Sequence, residues 1–435
     1  MNSRKSMTPQ PPFERGMGAK AVASCAALTC DGTRELPEAI LKRRTSHPLV
    51  YRNRIQQLVG KPRLGDWVRV SHLETESGQP EHFAYALYNP KSEIALRILR
   101  WSDQPPDQTF WDGLLDRAVS LRTETLRLDD TTDCYRVLHA EADGFPGLAV
   151  DRYGRILSAE VFSLAMAPRV QEIVERLGQR LGTQHWLISP SPHCLSQEGY
   201  ELASRHSSQM PYEVIVTENQ TRYKVHFGTG HKTGFFCDQR DNRLRLSELC
   251  NGRSVLDLCC YTGGFSVMAA SRGQASEVIG VDLDEAPLQV ARQNAALNQA
   301  KIKFTQADAF AYMRDMLRMG RQFDIVVLDP PKLIRNRAEM EEGTRKHFDL
   351  NRLAMQLVVP GGLMLTCSCA GLLPDAEFTR LVRSAARTAF LPSTLNPHPT
   401  PRNMQILAKA GAAACHPVSA NCPESEYFKS LWLRL

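Results

Sequence analysis

Two short segments late in the chain carry side chains that could do acid–base or covalent chemistry. The first is Asp329-Pro-Pro-Lys332, in which Pro330 and Pro331 fix the backbone so that the carboxylate projects in one direction. The second places Cys369 just after an apolar run, where a thiolate can act as a nucleophile. A cysteine taken alone is more often a small buried hydrophobe, and we expect Cys367 to be one.

A third segment combines a strand, a tight glycine turn and the start of a helix. It runs from Ser254 to Phe265. The residues expected to face a ligand there are Asp257, Tyr261, Thr262, Gly263 and Gly264. In an open α/β sheet, ligands bind outside the carboxyl ends of the strands, and glycine lets them approach the backbone closely. The turn is not Gly-x-Gly-x-x-Gly and no Gly-Lys-Ser/Thr follows it, so neither a dinucleotide nor a nucleoside triphosphate is the expected ligand.

Acidic residues follow the next two expected strands. Asp282 closes the second strand, where a carboxylate can accept hydrogen bonds from both hydroxyls of a ribose. Asp308 ends the third strand and could meet an adenine amino group, with Phe310 nearby to pack on the ring. Taken singly, each of these acids could instead be the N-cap of a helix. We expect Asp284 to be such an N-cap. The ordered set at successive strand ends favours a cofactor site.

This order of motifs resembles that of class I S-adenosylmethionine-dependent methyltransferases. The resemblance implies that Gly263 and Gly264 face the methionine end of the cofactor, Asp282 the ribose and Asp308 the adenine. Asp-Pro-Pro after the fourth strand is shared by methyltransferases that act on planar nitrogens or on bases, so Asp329 would face a planar heterocycle. S-adenosylmethionine is therefore the expected cofactor. No Cys/His spacing typical of zinc points to a metal.

Cys369 narrows the expected reaction, because carbon-5 of a pyrimidine is a poor nucleophile. A thiolate that adds to carbon-6 makes carbon-5 enamine-like, so that carbon-5 attacks a methyl group; loss of the carbon-5 proton then lets the thiol leave. In a methyltransferase that also carries Asp329, the interpretation of Cys369 as this nucleophile becomes the better one. Asp329 could stabilise a protonated cytosine N3 and bind the exocyclic amine, which uracil lacks.

The base that removes the carbon-5 proton is not identified by the sequence. His231, His347 and His416 are candidates, each with a structural or phosphate-binding role as the simpler explanation, and a bound water serves equally well. We expect Lys332 either to contact a phosphate or to be solvated.

From about Leu36 to Leu435 the whole chain resembles the RlmI-type bacterial 23S rRNA (cytosine-C5) methyltransferases. The markers are Tyr88-Asn-Pro, Glu141–Gly147, Asp151–Gly154, His231–Arg240, Tyr261–Phe265, Asp329–Lys332, Ser368-Cys369 and Tyr427–Lys429. The resemblance implies an N-terminal PUA domain, a central α+β domain and a C-terminal Rossmann-like catalytic domain. It also implies that the cofactor is flanked by Phe236, Asp238, Gln239 and Arg240.

Pattern and resemblance together divide the chain into four parts. They are a disordered extension (1–35), a PUA-like RNA-binding domain (36–104), a central α+β domain (105–216) and a methyltransferase domain (217–435). In the last part strands and helices alternate, which is typical of a doubly wound parallel sheet. Strands are expected at Ser254–Leu258, Glu277–Val281, Lys303–Thr305, Asp324–Leu328 and Gly362–Thr366, and helices are expected to begin near Phe265, Asp284, Phe310 and Asn351.

The amino-acid composition indicates the general class of protein. Hydrophobic residues at 43% and charged residues at 23% are typical of a globular protein. No apolar run approaches the roughly 18 residues that a membrane span needs, so no membrane partner is expected. Because the cysteines show neither disulfide nor zinc spacing, we expect reduced thiols and a cytoplasmic protein.

A basic cluster precedes the first clear strand. It consists of Arg43, Arg44, Arg52, Arg54 and Lys61. On composition alone, with a net charge of +6, a solvated surface explains it as well as an RNA-binding surface. Because PUA domains bind RNA, the resemblance favours contacts to RNA by Arg43 and Arg44. The expected partner is 23S rRNA or a large-subunit assembly intermediate, and the sequence leaves open whether the protein forms a homodimer.

Other functions stay open at this point. Uracil-C5 methylation shares the thiol chemistry, whereas N-methylation of a purine needs no cysteine. An RNA-binding or ribosome-assembly factor would keep the fold without turnover. A nicotinamide oxidoreductase is disfavoured by the missing glycine fingerprint.

Overall fold

The computed structural model describes residues 28–31, 35–74, 78–192, 194–199, 201–227, 234–390 and 402–435. Its strands are β1 (Glu38–Leu41), β2 (Leu49–Tyr51), β3 (Ile55–Val59), β4 (Trp67–His72), β5 (Glu81–Tyr88), β6 (Ile94–Arg100), β7 (Cys134–His139), β8 (Leu148–Tyr153), β9 (Ile156–Val161), β10 (His185–Pro190), β11 (Arg205–His206), β12 (Glu213–Glu218), β13 (Thr221–His226), β14 (Ser254–Leu258), β15 (Glu277–Asp282), β16 (Lys303–Gln306), β17 (Phe323–Leu328), β18 (Val358–Ser368), β19 (Gln405–Ala410) and β20 (Lys429–Arg434).

The α-helices are α1 (Gln108–Ser120), α2 (Val170–Leu181), α3 (Cys194–Glu198), α4 (Arg240–Leu249), α5 (Gly264–Ala270), α6 (Glu285–Leu297), α7 (Ala309–Arg318), α8 (Met340–Gln356) and α9 (Asp375–Thr388). Across the part of the chain that the structure describes, no helix combines the length and the apolar character needed to cross a membrane.

The first six strands form one sheet, in the order β2-β6-β5-β4-β1-β3. Alternating apolar side chains such as Val68, Val70, Ala84 and Ala86 form its core. Arg69, which lies between Val68 and Val70, is exposed, whereas Arg97 on β6 is buried and pairs with Glu198 at 3.1 Å. This sheet is the β-rich N-terminal domain that the sequence predicts.

Part of the expected N-terminal extension is packed against the rest of the protein. The side chain of Leu28 is buried, and its carbonyl accepts a hydrogen bond from the Trp111 indole at 2.8 Å. Cys30 is also buried, and its N–H donates to the Pro106 carbonyl at 2.8 Å. The expectation of disorder is therefore wrong for residues 28–31, because Leu28 fills a core that includes Trp111. Residues 1–27 and 32–34 of the extension lie outside the described residues.

The central part of the chain folds as a five-stranded sheet with α1 and α2 packed on it, in the order β11-β10-β9-β8-β7. Helix α2 buries Val170, Ile173, Val174 and Leu177, which recur at helical spacing. The hairpin β12–β13 follows and packs against α5 and α6 of the next sheet. The expected division between residues 216 and 217 lies within β12, and it stays a prediction.

The C-terminal sheet has seven strands in the order β16-β15-β14-β17-β18-β20-β19. Strands β14 to β18 are parallel, and β19 and β20 are antiparallel to their neighbours. The five strands expected from the sequence are all present. The order reverses between β14 and β17, and in doubly wound sheets ligands bind in the crevice at such a switch point.

One helix begins earlier than expected. The sequence places its start near Asn351, but α8 begins at Met340. The first turns of α8 carry many charged side chains, which hide the buried face formed by Gly343, His347 and Leu350. A Cβ on Gly343 would lie 2.5 Å from the Leu333 carbonyl oxygen, so this glycine lets the helix pack tightly against the loop that follows Asp329.

The N-terminal sheet contacts the C-terminal part of the chain through His47. Its Nε2 lies 3.1 Å from a carboxylate oxygen of Glu424, and the Cys422 thiol lies 3.5 Å from the same oxygen. The Leu49 N–H donates to Nδ1 of His47, so the ring proton is on Nε2 and points at Glu424. The three groups therefore form a hydrogen-bonded contact between domains, in which the imidazole has no free lone pair for a metal ion.

Candidate active site

The glycine turn after β14 has an unusual backbone conformation. Cys259, Tyr261 and Gly263 all have positive φ, at 62°, 50° and 77°. A Cβ on Gly263 would lie 3.1 Å from the Ala291 Cβ and 3.2 Å from the Phe304 ring, so the turn is packed closely from below. The Gly263 N–H donates to the Cys260 carbonyl at 2.8 Å and closes the turn. Two non-glycine residues with positive φ in one short turn are typical of a functional site.

Asp257 lies beneath this turn and is fully buried. One carboxylate oxygen accepts hydrogen bonds from the Ser266 N–H at 3.0 Å and the Ser266 hydroxyl at 2.6 Å. The other oxygen is buried and has no hydrogen-bond partner among the described residues. Burial raises the pKa of Asp257 to about 7, and the Ser266 hydroxyl acts in the opposite direction.

The two acids expected at the next strand ends are each engaged by the backbone. Asp282 accepts from the Tyr261 N–H at 2.8 Å through one oxygen and from the Asp284 N–H at 3.0 Å through the other. It thereby ties the glycine turn to the end of β15. Asp308 caps α7 by accepting from the Ala311 N–H at 3.0 Å, and Asp284 occupies the N-cap position of α6 without a side-chain hydrogen bond.

A segment far from the glycine turn in the sequence supports it from the side. The Phe236 ring stands edge-on to Tyr261, with centroids 5.1 Å apart. Arg243 donates to the Phe236 carbonyl at 3.0 Å and forms two 2.7 Å hydrogen bonds with Glu218, and both side chains of this ion pair are buried. The Tyr223 hydroxyl donates to the Gly264 carbonyl at 3.0 Å.

On the other side of the switch point, Asp329 follows β17 and lies next to β18. The Gln239 side-chain amide donates to Asp329 at 2.9 Å and to the Cys367 sulfur at 3.4 Å. Asn242 in turn donates to the Gln239 oxygen at 2.8 Å, which fixes the orientation of that amide. Pro330 is buried, whereas Pro331 and Lys332 are exposed.

The cysteines at and just beyond the end of β18 lie in different environments. Cys367 is fully buried, and burial together with the charge of Asp329 raises its pKa well above the ordinary value. Cys369 lies just past the strand end and is partly exposed, on the same side of the sheet as Cys367. Only Cys369 of the two combines the position of a strand end with access to a ligand.

Tyr427 and Asp238 lie beside Cys369 and Gln239. The Tyr427 hydroxyl donates to the Asp238 carboxylate at 2.5 Å, and the Tyr427 Cβ lies against Gly371, two residues beyond Cys369. The Arg240 guanidinium makes different contacts: it donates to Asp241 at 3.1 Å and to the Cys415 sulfur at 3.2 Å.

The sequence matches the S-adenosylmethionine-dependent methyltransferase family over residues 136–412 and the PUA-like domain family over residues 37–101. It is 33% identical to the ribosomal RNA large subunit methyltransferase I of Shewanella frigidimarina, over 92% of this chain and 97% of that protein. The protein of the same name from Vibrio cholerae is 32% identical, over 89% of this chain and 94% of its own length. The chain belongs to the S-adenosylmethionine-dependent methyltransferases.

Solved structures agree on the fold of this methyltransferase. An S-adenosylmethionine-dependent methyltransferase from Streptococcus mutans superposes with a TM-score of 0.73 at 17% identity, over 92% of this chain and all of that one. The structure of SMU.776, a methyltransferase complexed with SAH, gives the same TM-score at 18% identity with the same coverage.

The carboxyl edge of the methyltransferase sheet fits its cofactor. S-adenosylmethionine, when bound, supplies a methyl group on a positively charged sulfur. The buried oxygen of Asp257 without a partner, the close backbone of the glycine turn and the half-exposed carboxylate of Asp282 are groups that can hold such a ligand. Phe310 is half-buried, with the Arg314 guanidinium 6.0 Å from its ring centroid.

Sequence reasoning missed the residues that position the methyltransferase site from a distance. They are Glu218, Tyr223, Arg243 and Asn294, whose amide donates to the Thr262 carbonyl at 2.9 Å. Glu218 and Arg243 are unremarkable in the sequence as single charges. Only their burial together, 25 residues apart, reveals the ion pair.

Two of the three candidate histidines, His347 and His416, have buried rings. Burial lowers the pKa of His347 to about 4, and that of His416 lies well below its ordinary value for the same reason. His347 contacts the Ser368 hydroxyl at 3.3 Å, and His416 packs 5.1 Å from the His139 ring. Both are therefore enclosed by protein groups, and His231 lies outside the described residues.

Proposed function

We propose that this methyltransferase methylates carbon-5 of a cytosine in 23S rRNA through a covalent adduct of Cys369. The observation that carries the proposal is the pairing of β17 with β18, because Asp329 and the partly exposed Cys369 then follow neighbouring strand ends, across the switch point from the glycine turn. The relatives from Shewanella frigidimarina and Vibrio cholerae are named as methyltransferases of large-subunit ribosomal RNA. Such a substrate places the proposed reaction in the cytoplasm.

In the proposed reaction, the Cys369 thiolate forms a bond to carbon-6 of the base, and the electron pair of the 5,6 double bond makes carbon-5 nucleophilic. Carbon-5 uses this electron pair to form a bond to the methyl group, while the bond between the methyl group and the sulfonium sulfur of S-adenosylmethionine breaks and the sulfur keeps its electron pair. A base removes the carbon-5 proton, the double bond returns, and the bond between carbon-6 and sulfur breaks to regenerate the thiolate. The electron pair of the bond between carbon-5 and hydrogen forms the new double bond, and the pair of the bond between carbon-6 and sulfur returns to the thiolate.

Asp329 is proposed to hold the cytosine while this occurs. Its carboxylate accepts a hydrogen bond from Gln239. A carboxylate offers several acceptor positions, so the same group is suited to the exocyclic amine and a protonated N3 of cytosine. Protonation at N3 draws electrons out of the ring and makes carbon-6 a better target for the thiolate. Uracil presents an N3–H and an O4 in these places, so a carboxylate fits it less well.

The proposed cofactor contacts are those predicted from the sequence. We propose that the glycine turn, Asp282 and Asp308 bind the methionine, ribose and adenine parts of S-adenosylmethionine, with Phe236, Asp238 and Gln239 flanking it. Arg240 is proposed as an indirect contributor, since its guanidinium is held by Asp241 and Cys415.

The N-terminal sheet is proposed to hold the RNA. Residues 42–63 include seven lysines and arginines and no aspartate or glutamate. Arg43 is exposed, and the Arg44 guanidinium lies 5.4 Å from the Phe83 ring centroid. The Arg52 guanidinium already donates hydrogen bonds to the Pro90 and Ser92 carbonyls within the protein. A face of this charge attracts a phosphate backbone.

The test of the reaction is nucleoside mass spectrometry of unmodified 23S rRNA after incubation with the protein and labelled S-adenosylmethionine. Wild type, Cys369→Ala and Cys367→Ala are compared, the last as a matched control for removal of a β18 thiol. We expect 5-methylcytidine from wild type and from Cys367→Ala, and none from Cys369→Ala. A methylated purine made equally by all three proteins would overturn the proposal, and 5-methyluridine would correct the base.

The test of the RNA surface is a filter-binding titration at several salt concentrations. Replacing both Arg43 and Arg44 by glutamine should weaken RNA binding by about three- to tenfold and reduce the salt slope by about 2, because two phosphate contacts are lost. The double replacement of Arg380 and Arg383, exposed on α9, removes the same charge and should leave binding unchanged.

A further inference from the structure

A buried lysine lies directly beneath the loop that carries Cys369. Lys429 begins β20 and pairs with Ser368 at the end of β18. Its side chain is 6% exposed. The ammonium donates to the Ala370 carbonyl at 2.7 Å and to the Leu373 carbonyl at 2.5 Å. These two carbonyls belong to the residues that follow Cys369, so Lys429 holds that loop against the strand end.

This ammonium forms no ion pair with a carboxylate among the residues that the structure describes. Asp375, a nearby acid, is hydrogen-bonded to Lys409 at 2.6 Å. A buried cation whose hydrogen bonds go only to neutral carbonyls favours an anion close by. Burial lowers the pKa of Lys429, and Cys369 is the strongest influence in the opposite direction, ahead of Asp375 and Glu426. Because such an interaction is mutual, the ammonium favours the thiolate as much as the thiolate favours the ammonium.

The other charged groups that face this region differ in sign and in exposure. Asp329 at the end of β17 opposes a thiolate, and Asp238 adds to that effect at Cys367. Lys332 is a second cation, but it is exposed and therefore screened by water. His347 on α8 has a pKa lowered to about 4, by burial and by Lys429, so it is neutral near pH 7. Lys429 is thus the buried positive charge that acts on the strand end.

We propose that Lys429 is a positioning residue for the cysteine chemistry: its ammonium stabilises the Cys369 thiolate, and its two hydrogen bonds fix the loop that carries the sulfur. The inference rests on the proposed function, since a thiolate at Cys369 matters only if Cys369 is the nucleophile. A thiolate is the reactive form of cysteine, so the expected consequence is a higher reactive fraction near neutral pH.

The test measures alkylation of Cys369 by iodoacetamide as a function of pH, with the modified peptide quantified by mass spectrometry. Neither RNA nor S-adenosylmethionine is present, so the result is independent of whether the base is cytosine. Lys429→Gln keeps amide donors for the carbonyls and removes the charge. We expect Cys369 in this variant to react about tenfold more slowly at pH 7.5, with the midpoint of its pH profile about one unit higher. Lys429→Arg keeps the charge and should stay near the wild-type profile.

Lys409→Gln is the matched control, because Lys409 lies on the adjacent strand β19 and is paired with Asp375 at the surface. Its alkylation profile should equal that of wild type. An unchanged profile in folded Lys429→Gln would overturn the proposal, and so would an upward shift in Lys429→Arg as large as that in Lys429→Gln. If Lys429→Gln does not fold, the pH profile of alkylation in wild type serves as a second measurement. A midpoint for Cys369 at or above that of the glutathione thiol would also overturn the proposal.

A methylation assay separates this role from a merely structural one. In Lys429→Gln we expect kcat to fall at pH 7.5 and to recover as the pH rises, with KM for RNA little changed. A loss of kcat that does not depend on pH would assign Lys429 to loop structure alone. Failure of the proposed function would appear instead as an absence of 5-methylcytidine from wild type.

Discussion

The two sides of the switch point are built in different ways. On the proposed cofactor side, formed by the ends of β14, β15 and β16, the polar groups are tied to the backbone of neighbouring elements: Asp282 accepts from Tyr261 and Asp284, and Asp308 from Ala311. On the proposed substrate side, formed by the ends of β17 and β18, they are held by side chains from other parts of the chain. Gln239 reaches Asp329 across 90 positions, and Lys429 reaches Ala370 across 59.

The difference shows how one fold serves many reactions. A cofactor that is common to the family can be bound by a local motif, because the strand, turn and helix are consecutive. A substrate that differs from enzyme to enzyme is bound by groups brought in from loops and from the C-terminal strands. Changing those groups leaves the cofactor side intact. The two sides should therefore respond differently to mutation.

The largest expected effect is on the substrate side. Asp329→Asn removes the negative charge proposed to stabilise protonated cytosine, so we expect methyl transfer to fall by about 10²- to 10³-fold. Binding of S-adenosylmethionine, measured by calorimetry, should change by less than about threefold. The control is Asp324→Asn at the opposite end of β17, where the carboxylate accepts hydrogen bonds from the Ser254 N–H and hydroxyl. Equal losses of cofactor binding and turnover in Asp329→Asn would contradict the division into two sides.

The next effect concerns the buried carboxyl group of Asp257, beneath the glycine turn. Burial raises the pKa of Asp257 to about 7, far above its value in the unfolded chain. The folded protein therefore holds a proton that the unfolded chain releases, and the free energy of unfolding should fall as the pH rises from about 4 to 7. Relative to Asp257→Asn, wild type should lose about 2 kcal/mol between pH 5 and pH 7 in urea titrations.

Asp324 supplies the contrast for this measurement. Hydrogen bonds from Ser254 hold the pKa of Asp324 below its usual range, so its contribution to stability is lost only when the pH falls through that lower value. Between pH 5 and pH 7, Asp324→Asn should differ from wild type by a constant amount. A wild-type stability that tracks Asp257→Asn at every pH would show that Asp257 is not protonated when buried.

The smallest expected effect is a change in the affinity for S-adenosylmethionine when the glycine turn is altered. Gly263→Ala introduces a Cβ at positive φ and against Ala291, so we expect S-adenosylmethionine to bind about tenfold more weakly. Gly320→Ala has a similar φ of 66° but open space around its Cβ, and it should cost stability without affecting the cofactor. Equal cofactor affinity in the two variants would mean that the turn does not contact the ligand.

Much of the catalytic domain was predictable from the sequence. The strands from Ser254 to Thr366, the glycine turn and the acids at the strand ends follow from hydrophobic patterning and turn residues, which act over a few positions. The start of helix α8 lies earlier than the sequence predicts, because its first turns carry many charged residues while Gly343 packs against Leu333 and Ile334. The burial of Leu28 likewise depends on a partner, Trp111, 83 positions away.

The sequence by itself determined the local parts of this protein: the β-rich start, the doubly wound sheet, and the cysteine and carboxylate at two strand ends. The spacing of hydrophobic residues and the residue types of turns involve positions that are close in the sequence, so they can be recognised without knowing the fold. The tertiary structure alone decided that Gln239 bridges Asp329 and Cys367, and that the buried ammonium of Lys429 lies under the Cys369 loop. Those relations depend on which strands become neighbours when the chain folds, and distance along the sequence does not record them.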